Sequence, residues 1–418
     1  MRRVVVTGIG VVSPLGSDRK TFWSSLVAGR SGIGPIERFD ASSFPVRIGG
    51  EVKKFDWKWF AGRFPEAAAD RDWKVLLGLT ACDEALSDSG LAAVELRHGL
   101  LHVGVGLESI YLEDFTPLAQ AQDFNQEMVS RLVAQEDGHW IQTPLDRIAT
   151  LLGARYGFLA GRYTNCSACA AGSQAIGEAW QMLRHGEADL AVAGGADSML
   201  NPLGLGGFSL LRVLSPENEN PQRACRPFDA TREGTVLGEG AAFLVLEIRE
   251  RALARGGKIY AEMLGYGSSL DAFAATDPDP AGHGAVEAMH RAMSVAGLRP
   301  HDIDCVNAHA TGTIKNDIME TAAIKRVLGV RAYQIPIHAV KSMTGHLIAA
   351  SGALEAAVAA MTISRRMVPP TINLRKPDPQ CDLDYVAGEV RPFWGDTVLS
   401  NSFGLGGQNA TLILGRHV

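Results

Sequence analysis

The chain has 418 residues, 46% hydrophobic and 21% charged, with a formal net charge of −6, so it can bury a large core. Lysine and arginine form no dense stripe, which excludes sequence-independent nucleic-acid binding, and no apolar run reaches the ~18 residues of a membrane helix. Six cysteines without regular spacing make no disulfide framework, so a cytoplasmic protein with reduced thiols is expected.

Met1-Arg2-Arg3 and the apolar residues 4–12 mimic a secretory leader. Ser13-Pro14-Leu15-Gly16 reads as a turn and no cleavage site follows, so a buried first strand is expected. Short apolar runs at 4–6, 103–105, 190–192, 242–246, 305–306, 339–340 and 411–414 alternate with alanine-rich stretches at 74–88, 170–183 and 352–364. That is an α/β pattern with strands covered on both faces. Gly90, Gly186 and Pro369-Pro370 supply helix stops. Charge density rises around Gly256-Gly257, which predicts two halves, 1–250 carrying Cys169 and 251–418 carrying His309 and His346. The halves echo each other. The small-residue helix after Cys169 leads to 190–192, and a second one after His346 leads to 368–372. Duplication would pack these helices together and bring Cys169 to His346.

Cys169 lies in Asn165-Cys166-Ser167-Ala168-Cys169-Ala170-Ala171-Gly172-Ser173, where an extended run becomes a helix. A helix N-terminus lowers a thiol pKa, and small neighbours admit a substrate. An inert buried thiol competes with this reading, as does a redox or zinc half-site with Cys166. No second Cys-x-x-Cys supplies zinc ligands and no thioredoxin-like context follows, which leaves a nucleophile or an inert thiol, and the two histidines downstream favour the nucleophile. His309 and His346 each end a strand-to-loop segment rich in Thr and Gly. His98, His102, His139, His185, His283, His290, His301, His338 and His417 take the structural default. One thiol and two imidazoles predict covalent acyl transfer. Thr311 and Thr313 offer hydroxyls to a polar substrate arm. Lys341 follows an apolar run and needs a carboxylate, from Glu355, Asp317 or Glu320; its expected role is to hold a histidine or its loop. The glycine-rich stretch 399–407 lacks both nucleotide fingerprints, but its backbone N–H groups can form part of an oxyanion hole.

Five motifs then occur in a fixed order: Ala168-Cys169-Ala170-Ala171-Gly172; Arg226-Pro227-Phe228-Asp229 with Gly238-Glu239-Gly240; Asn307-Ala308-His309; Lys341-Ser342-Met343-Thr344-Gly345-His346; and Asn401-Ser402-Phe403-Gly404. Through them the chain resembles, over essentially its whole length, the elongating β-ketoacyl-[acyl-carrier-protein] synthases of dissociated fatty-acid and polyketide systems, within the thiolase superfamily. The resemblance implies a thiolase fold: two duplicated βαβαβ-type halves in a layered α-β-α-β-α sandwich. It also implies an acyltransferase in which Cys169 accepts an acyl chain, while His309 and His346 promote decarboxylation of a malonyl thioester and stabilise its enolate. By the same resemblance, the N–H groups of Cys169 and Phe403 form an oxyanion hole and Phe403 gates the acyl pocket. Lys341 and Glu355 support the site, Thr311 and Thr313 meet phosphopantetheine, and Arg212, with Arg71 and Lys74, meets the acyl carrier protein. No metal or organic cofactor is implied, since phosphopantetheine arrives on the carrier. The implied assembly is a homodimer, or a heterodimer with a second ketosynthase-like chain.

A degradative thiolase would carry a second cysteine near the C-terminus, and initiating or chalcone-type synthases would have Asn where His346 stands. Ala310 replaces a usual Gly, Thr235 and Leu405 replace usual Phe residues, Gln408 replaces a usual Thr, and Lys315-Asn316 also departs from the housekeeping form. These departures favour a specialised polyketide or polyene pathway over housekeeping elongation. The rival readings are a malonyl-carrier decarboxylase and a non-condensing structural partner. Residues 138–155 are read as an interface or an acyl-pocket wall.

Overall fold

The computed structural model describes residues 1–107, 109–111, 116, 118–134 and 142–418. Ten strands form one sheet: β1 Val4–Val12, β2 Leu100–Val105, β3 Gly161–Asn165, β4 Leu190–Ser198, β5 Glu239–Ile248, β6 Ala261–Leu270, β7 Cys305–Asn307, β8 Ile337–His338, β9 Thr397–Phe403 and β10 Gln408–Gly415. Their spatial order is β8-β7-β9-β10-β6-β1-β5-β4-β2-β3. Read outward from the centre, the first half runs 1-5-4-2-3 and the second repeats it as 6-10-9-7-8. The ladder types repeat as well. In each half the two inner pairings are antiparallel and the two outer ones parallel. The halves join where Val4–Val6 of β1 pairs antiparallel with residues 261–263 of β6. Strands so placed are buried on both faces, which explains why β1 and β4 read as unbroken apolar or small-residue runs.

Helices supply the remaining layers. Trp73–Ser89 (α1) covers β1, β5 and β4 from outside, and His283–Ala296 (α3) covers β6 and β10 on the other side, with Ile314–Leu328 (α4) packed beside it. Ala171–His185 (α2) and Ser351–Arg365 (α5) lie between the halves: α2 packs on β4 and β2, α5 on β9 and β5, and the two pack on each other. The result is the α-β-α-β-α sandwich expected from the resemblance. Asp72 caps α1 by accepting from the Lys74 N–H, and Gly90 ends it at φ 69°.

The α2/α5 crossing dictates its own composition. A Cβ at Gly172 would lie 2.8 Å from Ala349 O and from Ala353 N, and one at Gly352 would lie 2.3 Å from Ser173 Oγ. Only small residues allow this approach, and the approach places both helix starts at one spot. Gly172→Val is therefore expected to destabilise the protein by about 1–3 kcal/mol through overpacking against backbone. A lowered midpoint in thermal or denaturant unfolding would show it.

Two expected elements fall elsewhere. The apolar run 339–340 is not a strand: β8 is Ile337–His338, and Lys341–Thr344 forms a short helix. Residues 368–372 do not supply the second half's counterpart of β4, a place taken by β9. Met367–Val368 pairs instead with Arg391–Pro392 in a separate ribbon. Pro369 and Pro370 have no N–H donors, so this segment cannot enter a central ladder. Residues 138–141 of the unpatterned stretch, His139 among them, lie outside the described residues. The helix Arg147–Tyr156 that follows buries Ile148, Leu151 and Leu152 in the core beside β2 and α1. Among the described residues no helix is long and apolar enough to cross a membrane.

Candidate active site

The duplicated halves each deliver a strained elbow to the central layer. Beyond β3 the chain turns at Ala168, φ 49°, makes a 3₁₀ turn over Ala168–Ala170, and enters α2. In the other half Ile348, φ 46°, opens the 3₁₀ turn Ile348–Ala350 that leads into α5. A left-handed non-glycine residue costs about 1–2 kcal/mol, which the packing of two central helices offsets. The first elbow presents Cys169; just before the second stands His346.

His346 Nε2 lies 3.1 Å from Cys169 Sγ, and its Nδ1 lies 2.9 Å from Ser351 Oγ. The ring is thus held between the thiol and the first residue of α5. His309 follows β7. Its N–H and that of Ala310 donate to the Glu320 carboxylate at 2.8 and 2.7 Å, which fixes the loop although Ala310 sits at φ 34°. Lys341 Nζ donates to His309 O at 2.6 Å, lies 3.3 Å from His309 Nδ1, and is ion-paired with Glu355. An ammonium facing Nδ1 makes that nitrogen the acceptor, so Nε2 carries the ring proton. The two imidazoles stand nearly perpendicular, 5.3 Å between centroids, and Phe403 meets His309 edge-on at 5.9 Å. The sulfur and one nitrogen of each ring lie within 4.8 Å of one another.

Burial governs the electrostatics. Burial pushes the Cys169 thiol up to about 11, against the opposing pull of the Leu405 N–H, the Lys341 charge and its own N–H. The lowering expected from the helix N-terminus is overridden, because at 3% exposure the thiolate has lost its water. Both imidazoles are held well below the ordinary histidine range, first by burial and then by Lys341. Burial raises Glu355 and Glu320 to about 7. At neutral pH the site is therefore a neutral thiol beside two neutral imidazoles, with His346 placed to accept the thiol proton as the sulfur attacks.

These groups share a cavity of about 290 Å³ with Thr311, Thr313, Arg212 and Thr235. The Thr311 and Thr313 hydroxyls lie 2.9 Å apart. Residues 1–252 match the β-ketoacyl synthase N-terminal domain family, and residues 260–375 match the β-ketoacyl synthase C-terminal domain family. The chain belongs to the β-ketoacyl synthase family. It is 42% identical to 3-oxoacyl-[acyl-carrier-protein] synthase 2 of Synechocystis sp., covering 98% of this chain and 97% of that one. Among solved structures, the ishigamide ketosynthase/chain length factor is 35% identical with a TM-score of 0.87, and the AntDE:AntF complex, a type II polyketide carrier protein with its ketosynthase, is 31% identical with a TM-score of 0.85; each covers 100% of both chains.

Four of the five ordered motifs meet at this cavity through Cys169, His309, His346 and Phe403, while the second, with Arg226 and Asp229, lies outside it, and not every residue assigned by the resemblance reaches it either. Arg212 stands exposed on the cavity wall. Arg71 is exposed outside it, its guanidinium 3.8 Å above the Tyr111 ring. Lys74 must be corrected: it is buried, with Nζ 2.9 Å from Asp72 and donating to Leu107 O at 2.7 Å, so it presents nothing to a partner. Of the three carboxylates offered to Lys341, Glu355 takes it; Asp317 faces Arg232 and Glu320 serves the His309 loop. The residue reading missed Ser351 and the Leu405 N–H beside the sulfur. The position of Ser351, five residues past His346 at a helix start, was the available signal for the first.

A buried, raised thiol has a measurable consequence. Below its pKa the thiolate fraction rises tenfold per pH unit, so iodoacetamide labelling of Cys169 in this synthase is expected to accelerate steadily from pH 7 to 10. Peptide mass spectrometry would follow it. A plateau below pH 8 would instead indicate a thiolate–imidazolium pair at rest.

Proposed function

We propose that the synthase extends a carrier-bound acyl chain by two carbons in two half-reactions. In the first, Cys169 Sγ attacks an acyl thioester, and the proton accepted by His346 passes to the departing carrier thiol. In the second, a malonyl thioester loses carbon dioxide, and the electron pair of the broken C–C bond moves onto the thioester oxygen. The His309 Nε2–H stabilises that enolate, joined by His346 once its ring proton has moved to Nε2, with Nδ1 then accepting from Ser351 Oγ. Its C2 then attacks the acyl-Cys169 carbonyl, and collapse expels the thiolate, which takes up from solvent the one proton that the overall reaction consumes. Backbone N–H groups of Cys169 and Phe403 serve the tetrahedral oxyanion, and such a donor typically contributes about 10²–10³ in rate. The observation that carries this reading is the 3.1 Å contact of His346 Nε2 with Sγ, with the His309 ring beside it in one cavity.

An acyl carrier protein is the proposed partner, delivering phosphopantetheine past Thr311 and Thr313 with Arg212 as an exposed basic contact on the cavity wall; the AntDE:AntF complex supports this. No resident metal is assigned. Lys341 already places a cation 3.3 Å from His309 Nδ1, and its charge opposes a second one. The edge strand β3 pairs on one side only among the described residues, with Tyr163 38% exposed, and is the proposed seat of a homodimer or of a related second chain. None of the six cysteines forms a disulfide, which suits the cytoplasm. Thr235, Leu405 and Gln408 incline the reading to a specialised pathway. Incubation with acyl- and malonyl-carrier proteins tests the function. A 3-oxoacyl product two carbons longer is expected, whereas carbon dioxide with acetyl-carrier alone would make it a decarboxylase.

A further inference from the structure

Thr235 is 3% exposed and lines the cavity that holds Cys169, His309 and His346. Its main chain is committed: the N–H donates to Val213 O at 2.8 Å, and the carbonyl accepts from Ser215 N–H at 2.7 Å. Its hydroxyl is buried and has no hydrogen-bond partner among the described residues. A buried hydroxyl left unpaired is unfavourable, and in an enzyme cavity the natural partner is the substrate. The neighbouring Thr311 and Thr313 hydroxyls already have each other. Gly234, the preceding residue, adjoins their loop, since a Cβ at Gly312 would lie 3.2 Å from Gly234 O.

We propose that Thr235 donates a hydrogen bond to the free carboxylate of the extender unit, and so selects a carboxylated thioester for the second half-reaction. This rests on the condensation reading above. With the extender's thioester oxygen on the two imidazoles and its C2 toward the acyl-sulfur carbonyl, the carboxylate is the one polar group still to be placed. The assignment requires a χ1 rotamer of Thr235 that turns its hydroxyl to the cavity. A single neutral donor orients the carboxylate without holding it as firmly as a cation would, so the charge can still be lost. When the C2–carboxylate bond breaks, its electrons go to the enolate, carbon dioxide leaves, and Thr235 keeps its proton. The hydroxyl therefore strengthens ground-state binding more than the transition state.

Thr235→Val keeps the shape and removes the donor; Thr235→Ser keeps the donor. Intact-mass acylation of Cys169 and steady-state condensation would be measured for both against the unaltered protein. In the valine variant KM for malonyl-carrier is expected to rise about tenfold or more. Its kcat should not fall in proportion, and KM for acyl loading should change by less than about twofold. The serine variant should restore the malonyl KM to within about threefold. An unchanged malonyl KM in the valine variant overturns the assignment. So does an equal loss in loading, which would place the hydroxyl on the pantetheine arm or the acyl chain. If the valine variant fails to fold, Thr235→Ala takes its place with the same expectations. Failure of the unaltered protein to condense at all would sink the condensation reading instead.

Discussion

Cys169→Ala is expected to reduce two-carbon extension by about 10⁴–10⁶, the scale seen when a covalent nucleophile is removed. Among the described residues no other thiol lines the cavity. The remaining sulfur in the motif, Cys166, is exposed, with Sγ 3.2 Å from Gly106 O. The alanine variant retains His309 and His346, so it should still decarboxylate malonyl-carrier while forming no acyl-enzyme. Product analysis by mass spectrometry distinguishes the two losses. Cys166→Ser should extend normally. A variant lacking Cys169 that still supported full product flux in a reconstituted pathway would leave the chain a structural role only.

Lys341→Met should produce the second large effect. Lys341 is almost fully buried, paired with Glu355, and bonded to the His309 carbonyl. Breaking a buried pair leaves the other charge uncompensated and costs about 3–5 kcal/mol. Glu355, already raised to about 7, should then rise further and stay protonated. Folding stability of the variant should therefore fall as pH rises from the ordinary glutamate range up to that higher value, because over that window the unfolded chain has released a proton that the folded chain still holds. The donor facing His309 Nδ1 is also lost, so the imidazole no longer keeps its proton on Nε2 and enolate stabilisation weakens. Urea unfolding across pH would report the first effect and malonyl decarboxylation the second. Lys341→Met combined with Glu355→Gln should recover much of the stability but not the decarboxylation, because only the charge imbalance is removed.

The chemistry was legible where it is written in local motifs. Cys169, His309 and His346 each sit in short Gly-, Ala- or Thr-rich segments whose need for small residues follows from the elbow and the helix crossing. No local window shows their convergence, since Cys169 and His346 are 177 residues apart: the duplication brings those two together, and only the resemblance adds His309. What escaped depends on burial that no window of sequence contains. Lys74 looks like a surface cation until Asp72 and Leu107 O enclose it. The Cys169 thiol looks activated by its helix until desolvation is counted. The run at 339–340 is as apolar as a strand, yet the ladder ends two residues earlier and the chain coils so that Lys341 reaches His309.

The account stands on one sulfur carrying the growing chain between two reactions. Intact-mass and peptide analysis of the protein after exposure to an acyl-carrier protein, and again after addition of malonyl-carrier, tests that directly. The acyl mass should reside on Cys169 and vanish as the 3-oxoacyl product forms. An acyl group found on Cys166, or extension with no adduct ever passing through Cys169, would contradict it.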